Sequence, residues 1–84
     1  MNIVLTGGTS GLGYRTAQVL GKEIKNKIIL IGSNKQKGKT SVGNLIKETS
    51  NSNISFIRCD LSSISEIKSL AEKLKKFKID ILIN

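Results

Sequence analysis

Four short runs of apolar residues punctuate the chain, and between them the apolar positions spread out to the period of a helix. The first run lies within Asn2–Thr6 as Ile3-Val4-Leu5, and the second within Lys27–Gly32 as Ile28-Ile29-Leu30-Ile31. Ile54–Cys59 is the third and Ile79–Ile83 the fourth. Continuous runs without polar alternation suit parallel strands buried on both faces. The third is broken by Ser55 and Arg58 and is expected at a sheet edge.

From Gly13 onward, Ala17, Leu20 and Ile24 fall on one helix face, with Gly21 weakening that helix by about 1 kcal/mol relative to Ala. Ser33–Gly38 is polar and basic. Val42, Leu45, Ile46 and Thr49 then mark a second helix, weakened by Gly43. Ser63 with Glu66 three residues on forms a capping box. Behind it Ile64, Ile67, Leu70, Ala71, Leu74 and Phe77 keep the most regular helical spacing in the chain. The pattern β-α-β-α-β-α-β predicts an open α/β fold, a doubly wound parallel sheet. With strand order 3-2-1-4, Ile79–Ile83 forms an Ile/Leu-rich edge without a partner beyond it. The expectation is that the 84 residues are the front portion of a longer domain.

Composition changes this picture little. The net charge of +8 is one electrostatic footprint of a protein that binds nucleic acid or a phosphorylated cofactor. The lysines are scattered, however, and are not interleaved with aromatic platforms, so a solvated basic surface without a nucleic-acid partner is the favoured reading. The lysines at 73, 75, 76 and 78 are read as a solvated helix end that complements the helix dipole. Cys59 is alone, which excludes an intramolecular disulfide and a cysteine metal site. The apolar segment near the N-terminus is too short for a signal sequence or a membrane span. No membrane association and a cytoplasmic location are expected.

The chemistry concentrates at the first strand–helix junction, Thr6-Gly7-Gly8-Thr9-Ser10-Gly11-Leu12-Gly13. The spacing TGxxxGxG sits between a strand and a helix, the setting in which glycine-rich turns hold phosphate. Gly7 is assigned to the turn, Gly11 to close approach of backbone to a pyrophosphate, and Gly13 to packing of helix on strand. Thr9 and Ser10 offer hydroxyl donors. The plainer alternative is a glycine-rich turn with no ligand. Gly32-Ser33-Asn34-Lys35-Gln36-Lys37-Gly38-Lys39-Thr40 also looks like the phosphate loop of an NTPase. That motif needs four residues between its first Gly and Gly-Lys-Thr, and an extra one here disfavours it.

Taken together these segments resemble the short-chain dehydrogenase/reductase family along the whole chain. Thr6–Gly13 is similar to the family's cofactor motif, with Thr16-Ala17 following as usual. Asn34-Lys35-Gln36-Lys37-Gly38 resembles its RNxxKG segment, with Ser33 where Arg is common. Cys59-Asp60-Leu61-Ser62-Ser63 resembles the segment that contacts adenine, and Ile79–Asn84 the strand leading into the NNAG motif. The resemblance implies a Rossmann-like sheet and a nicotinamide dinucleotide across the C-terminal ends of its strands. Residues 1–84 are then the N-terminal part of a single NAD(P)-binding domain, without its catalytic part.

On this reading Gly7, Thr9, Ser10, Gly11, Leu12 and Gly13 hold the pyrophosphate. Asp60 accepts from the adenine amino group beside the backbone of Leu61, and Asn84 lines the adenosine ribose. Residues 28–35 contain no acid for a ribose 2′-hydroxyl, while Ser33, Asn34 and Lys35 are donors suited to a 2′-phosphate. NADP is therefore expected, with NAD the alternative. The family's catalytic Ser and Tyr-x-x-x-Lys pair lie beyond Asn84. Tyr14, the one tyrosine here, has Gln18 at i+4 and belongs to the cofactor helix. No catalytic residue and no metal ligand is assigned, and the chain alone is expected to be inactive. The complete protein is expected to transfer hydride to or from a small-molecule carbonyl or alcohol and to be capable of forming homo-oligomers. A non-catalytic dinucleotide-binding module or sensor of the same fold is the alternative.

Overall fold

The computed structural model describes residues 1–9 and 11–84. Strands β1 (Asn2–Thr6), β2 (Lys27–Gly32), β3 (Ile54–Arg58) and β4 (Ile81–Ile83) form one sheet in the order β3-β2-β1-β4. All pairs are parallel, with Leu5 between Leu30 and Ile83 at the centre. Helices α1 (Gly11–Gly21), α2 (Lys35–Thr49) and α3 (Ile64–Leu74) make the crossovers. The expected order and the edge position of β3 are both observed.

Because side chains alternate across a strand, each apolar run feeds both faces. Ile3, Leu5, Ile28, Leu30 and Ile54 join Ala17 of α1 and Leu45 of α2 in one core. Val4 and Ile31 point the other way, into a smaller cluster with Cys59 and Leu70. Complete burial of a side chain such as Leu30 or Ile31 contributes about 1.5–3 kcal/mol. Gly38 lies buried in α2, and a Cβ there would overlap the ring of Phe56 on β3.

Several boundaries differ from the sequence expectation. α1 stops at Gly21, and Ile24 lies beyond it, 61% exposed. The cause is competition for its last carbonyls: Asn26 Nδ2 donates to Leu20 O at 2.9 Å, and Asn51 Nδ2 to Gly21 O at 3.0 Å. Asn51 is fully buried, and its Oδ1 accepts from Asn53 N–H at 2.8 Å. These asparagines pin the end of the sheet opposite the glycine junction. α2 begins as early as Lys35 because Asn34 caps it, Oδ1 accepting from Lys37 N–H at 3.0 Å.

β3 ends at Arg58, not Cys59, although the Cys59 N–H still donates to Gly32 O at 2.8 Å. β4 begins at Ile81 because Asp80 instead clamps the start of β1. Its N–H donates to Asn2 O at 2.8 Å, and its carboxylate accepts from Asn2 N–H at 2.7 Å. α3 ends at Leu74, and Phe77 packs on the sheet from the turn that follows. Only one arm of the capping box forms. Ser63 Oγ accepts from Glu66 N–H at 3.3 Å, but the Glu66 carboxylate turns to Asp60 N–H and Arg58.

Candidate functional site

The glycine junction stands where β1 leaves the sheet. Gly7 N–H donates to Ile31 O at 3.1 Å, and Gly7 then takes a φ of +68° to turn the chain. Gly11 opens α1 with a φ of +60°. Both values lie in the left-handed region that glycine enters without steric cost. A Cβ at Gly13 would overlap the Gly7 carbonyl, so the first turn of α1 rests directly on the loop. At Gly11 an added Cβ would meet nothing within 4 Å. The backbone thus presents an open space in front of a helix N-terminus. The leading N–H groups of a helix lack intrahelical partners, and the first turn of α1 contains no acid. This is a cradle suited to an anion.

The loop is tied to α2 by Ser41 Oγ, which donates to Thr9 O at 3.2 Å. Thr9 is half-buried, whereas the Leu12 side chain is 83% exposed. Leu12 stands in the first turn of α1 with its side chain open to solvent. Ser10 lies outside the described residues.

The remaining expected residues line the C-terminal ends of the other strands. Thr6 Oγ1 donates to Asn84 Oδ1 at 3.0 Å and to Ile83 O at 3.3 Å, holding Asn84 next to the glycine junction. Ser33 and Lys35 are exposed where β2 passes into α2. Asn34 spends its side-chain oxygen on the helix cap, which leaves its NH2 group as the donor. Asp60 Oδ1 accepts from Ser62 Oγ at 2.7 Å and from Ser62 N–H at 3.0 Å. Those bonds, with Arg58 nearby, hold the Asp60 carboxyl below its ordinary range, so it stays an ionised acceptor. Leu61 is 46% exposed beside it.

One residue on this rim was not singled out from the sequence. Arg58 closes β3 opposite Gly32, and its Nε donates to Ser33 O at 3.2 Å. The available signal was its place two residues before Asp60 in a strand expected beside β2.

Tyr14 is held in its protonated form by its surroundings. Its hydroxyl donates to Glu48 Oε1 at 2.6 Å, and desolvation with that carboxylate raises its pKa to about 12. A tyrosine that must exchange a proton near neutrality needs the opposite shift. The NTPase-loop alternative also fails, because Lys35–Thr40 form the first turns of α2 and cannot wrap a phosphate.

A parallel sheet of this order, with a glycine cradle between β1 and α1, defines a doubly wound α/β domain of the Rossmann kind. The sequence matches the short chain dehydrogenase family over residues 1–84, and the chain belongs to that family. It is 37% identical over 83 residues to human polyprenol dehydrogenase, covering 96% of this chain and 25% of that protein. Among solved structures, citronellol catabolism dehydrogenase of Pseudomonas aeruginosa PAO1 superposes with a TM-score of 0.86 at 29% identity. That match covers 100% of this chain and 35% of the other. A variant actinorhodin polyketide ketoreductase crystallised with NADPH gives a TM-score of 0.81 at 26% identity, covering 96% and 31%. The chain thus spans about a quarter of the length of the curated relative. Among the described residues, no helix is long and apolar enough to cross a membrane.

Proposed function

We propose that residues 1–84 hold the adenosine and pyrophosphate half of NADP in an oxidoreductase acting on a carbonyl or alcohol. The observation that carries this reading is the open cradle at Gly11, framed by the turn at Gly7 and by the contact that only glycine permits at position 13. The nicotinamide, when bound, is the carrier of hydride. Gly7, Thr9, Gly11, Leu12 and Gly13 hold the pyrophosphate, and the sequence assigns Ser10 to the same group. Asp60 accepts from the adenine amino group next to Leu61. Asn84, anchored by Thr6, lines the ribose. Ser33, the Asn34 amide and Lys35 donate toward a 2′-phosphate, and no acid from 28 to 35 repels it.

The proton-transfer groups of the reaction are not among these residues. Tyr14 is held protonated by Glu48, and it has no lysine at i+4. The 84-residue polypeptide is therefore expected to bind NADPH without oxidising it. Incubation with NADPH and a panel of aldehydes and ketones, followed by absorbance of the reduced nicotinamide, tests this. A flat trace together with a ligand-induced rise in melting temperature is the expected result. Sustained oxidation by the purified chain would overturn the assignment.

A further inference from the structure

Ser33, at the end of β2, offers a hydroxyl donor but no charge. A cation reaches this point from the neighbouring strand. Parallel register sets Arg58, the last residue of β3, against Gly32, so its side chain emerges beside Ser33. Nε donates to the Ser33 carbonyl at 3.2 Å. Nη1 is ion-paired to the Glu66 carboxylate, which also accepts from Asp60 N–H at 3.0 Å. Nearly half of the Arg58 side chain still faces solvent. Lys35 and Arg58 share the wall of a hollow of about 540 Å³ between β3 and α3, with Lys73 as a third cation. Glu66 and Asp60 are the carboxylates set against them.

We propose that Arg58 is the 2′-phosphate-selecting residue of this chain, delivered from β3 to the end of β2. The inference rests on the nucleotide site described under Proposed function. A guanidinium has five N–H donors in a planar fork. Two directions are taken, by Ser33 O and Glu66, and they fix the plane of the fork at the end of β2. The remaining donors are available to phosphate oxygens, and Lys35 adds a second charge. Glu66 is a positioning residue that holds the fork and offsets part of its charge. An arginine used only to fasten α3 needs no nucleotide, and binding measurements separate the two roles.

Calorimetric titration of the 84-residue chain with adenosine 2′,5′-bisphosphate and with 5′-AMP reads the adenosine half alone. Arg58→Gln is expected to weaken the bisphosphate about tenfold, the loss of a charge-assisted bond, and to leave 5′-AMP unchanged. Glu66→Gln keeps an acceptor but removes the opposing charge, so it is expected to tighten the bisphosphate. Unchanged bisphosphate affinity in Arg58→Gln, or equal weakening of both ligands, overturns the proposal. A wild-type chain that binds both ligands equally also overturns it, while leaving the nucleotide site standing. Binding of neither ligand by a chain that melts cooperatively overturns the site and the proposal together.

Discussion

On one face of the sheet α1 and α2 close over Ile3, Leu5, Ile28 and Leu30, each exposed by 1% or less. On the other, α3 and Phe77 of the turn after it shelter Val4 and Ile31. Leu70 is the one residue α3 buries, while Ile64 is 74% and Ile67 41% exposed. Leu82 of the edge strand β4 is 60% exposed on that side. The contrast runs against the sequence pattern, because α3 has the cleaner apolar spacing and α2 the weaker. Periodicity shows which side of a helix is apolar, not how much of that side another element covers. α2 gets close to the sheet through small residues, Gly38 and Ser41, that carry no hydrophobic signal.

Truncations on the two faces measure the difference directly. Leu45→Ala, beneath α2, is expected to cost about 2–5 kcal/mol of unfolding free energy. Leu70→Ala is expected to cost clearly less, because Leu70 is itself 8% exposed and its neighbours along α3 are open to solvent. Ile64→Ser is expected to stay within about 0.5 kcal/mol of wild type. Urea unfolding of the three variants would break the comparison if Leu70→Ala proved as damaging as Leu45→Ala.

The element order and the glycine junction were legible because their causes are local. Strand and helix periods differ within a few residues, and Gly7 and Gly13 answer to a turn and a contact inside one loop. What was not legible depends on partners far along the chain. Ile24 fits the helix pattern, yet α1 ends earlier because Asn26 and Asn51 capture its carbonyls. Glu66 has the spacing of a capping box, yet its carboxylate is drawn to Arg58, a residue of the preceding strand. The same pairing hid Arg58, whose neighbour Ser33 is brought close only by strand register.

Titration provides a gentler comparison of the two faces. Between α1 and α2, desolvation together with the bond to Glu48 raises the Tyr14 pKa from 10.0 to about 12. A raised folded-state pKa contributes stability that is complete below the unfolded value and is lost as pH climbs through the folded one. Stability is therefore expected to fall between pH 10 and 12, and Tyr14→Phe to flatten that slope. On the α3 side the Asp60 pKa is depressed below 3.8, so its contribution is present above that pH and fades on acidification. Melting temperatures across both pH ranges check the two signs. A Tyr14→Phe chain with the wild-type alkaline slope would show that the bond does not set it.

The rim of this sheet is proposed to hold a dinucleotide and to distinguish it by its 2′-phosphate. Parallel fluorescence titrations of the chain with NADPH and NADH test this most directly, with Ser33→Asp as the companion variant. Saturable binding of both is expected, tighter for NADPH, with a shift toward NADH once the Ser33→Asp substitution places a carboxylate at the end of β2. Failure of a folded chain to bind either nucleotide, or tighter binding of NADH by the wild type, would contradict it.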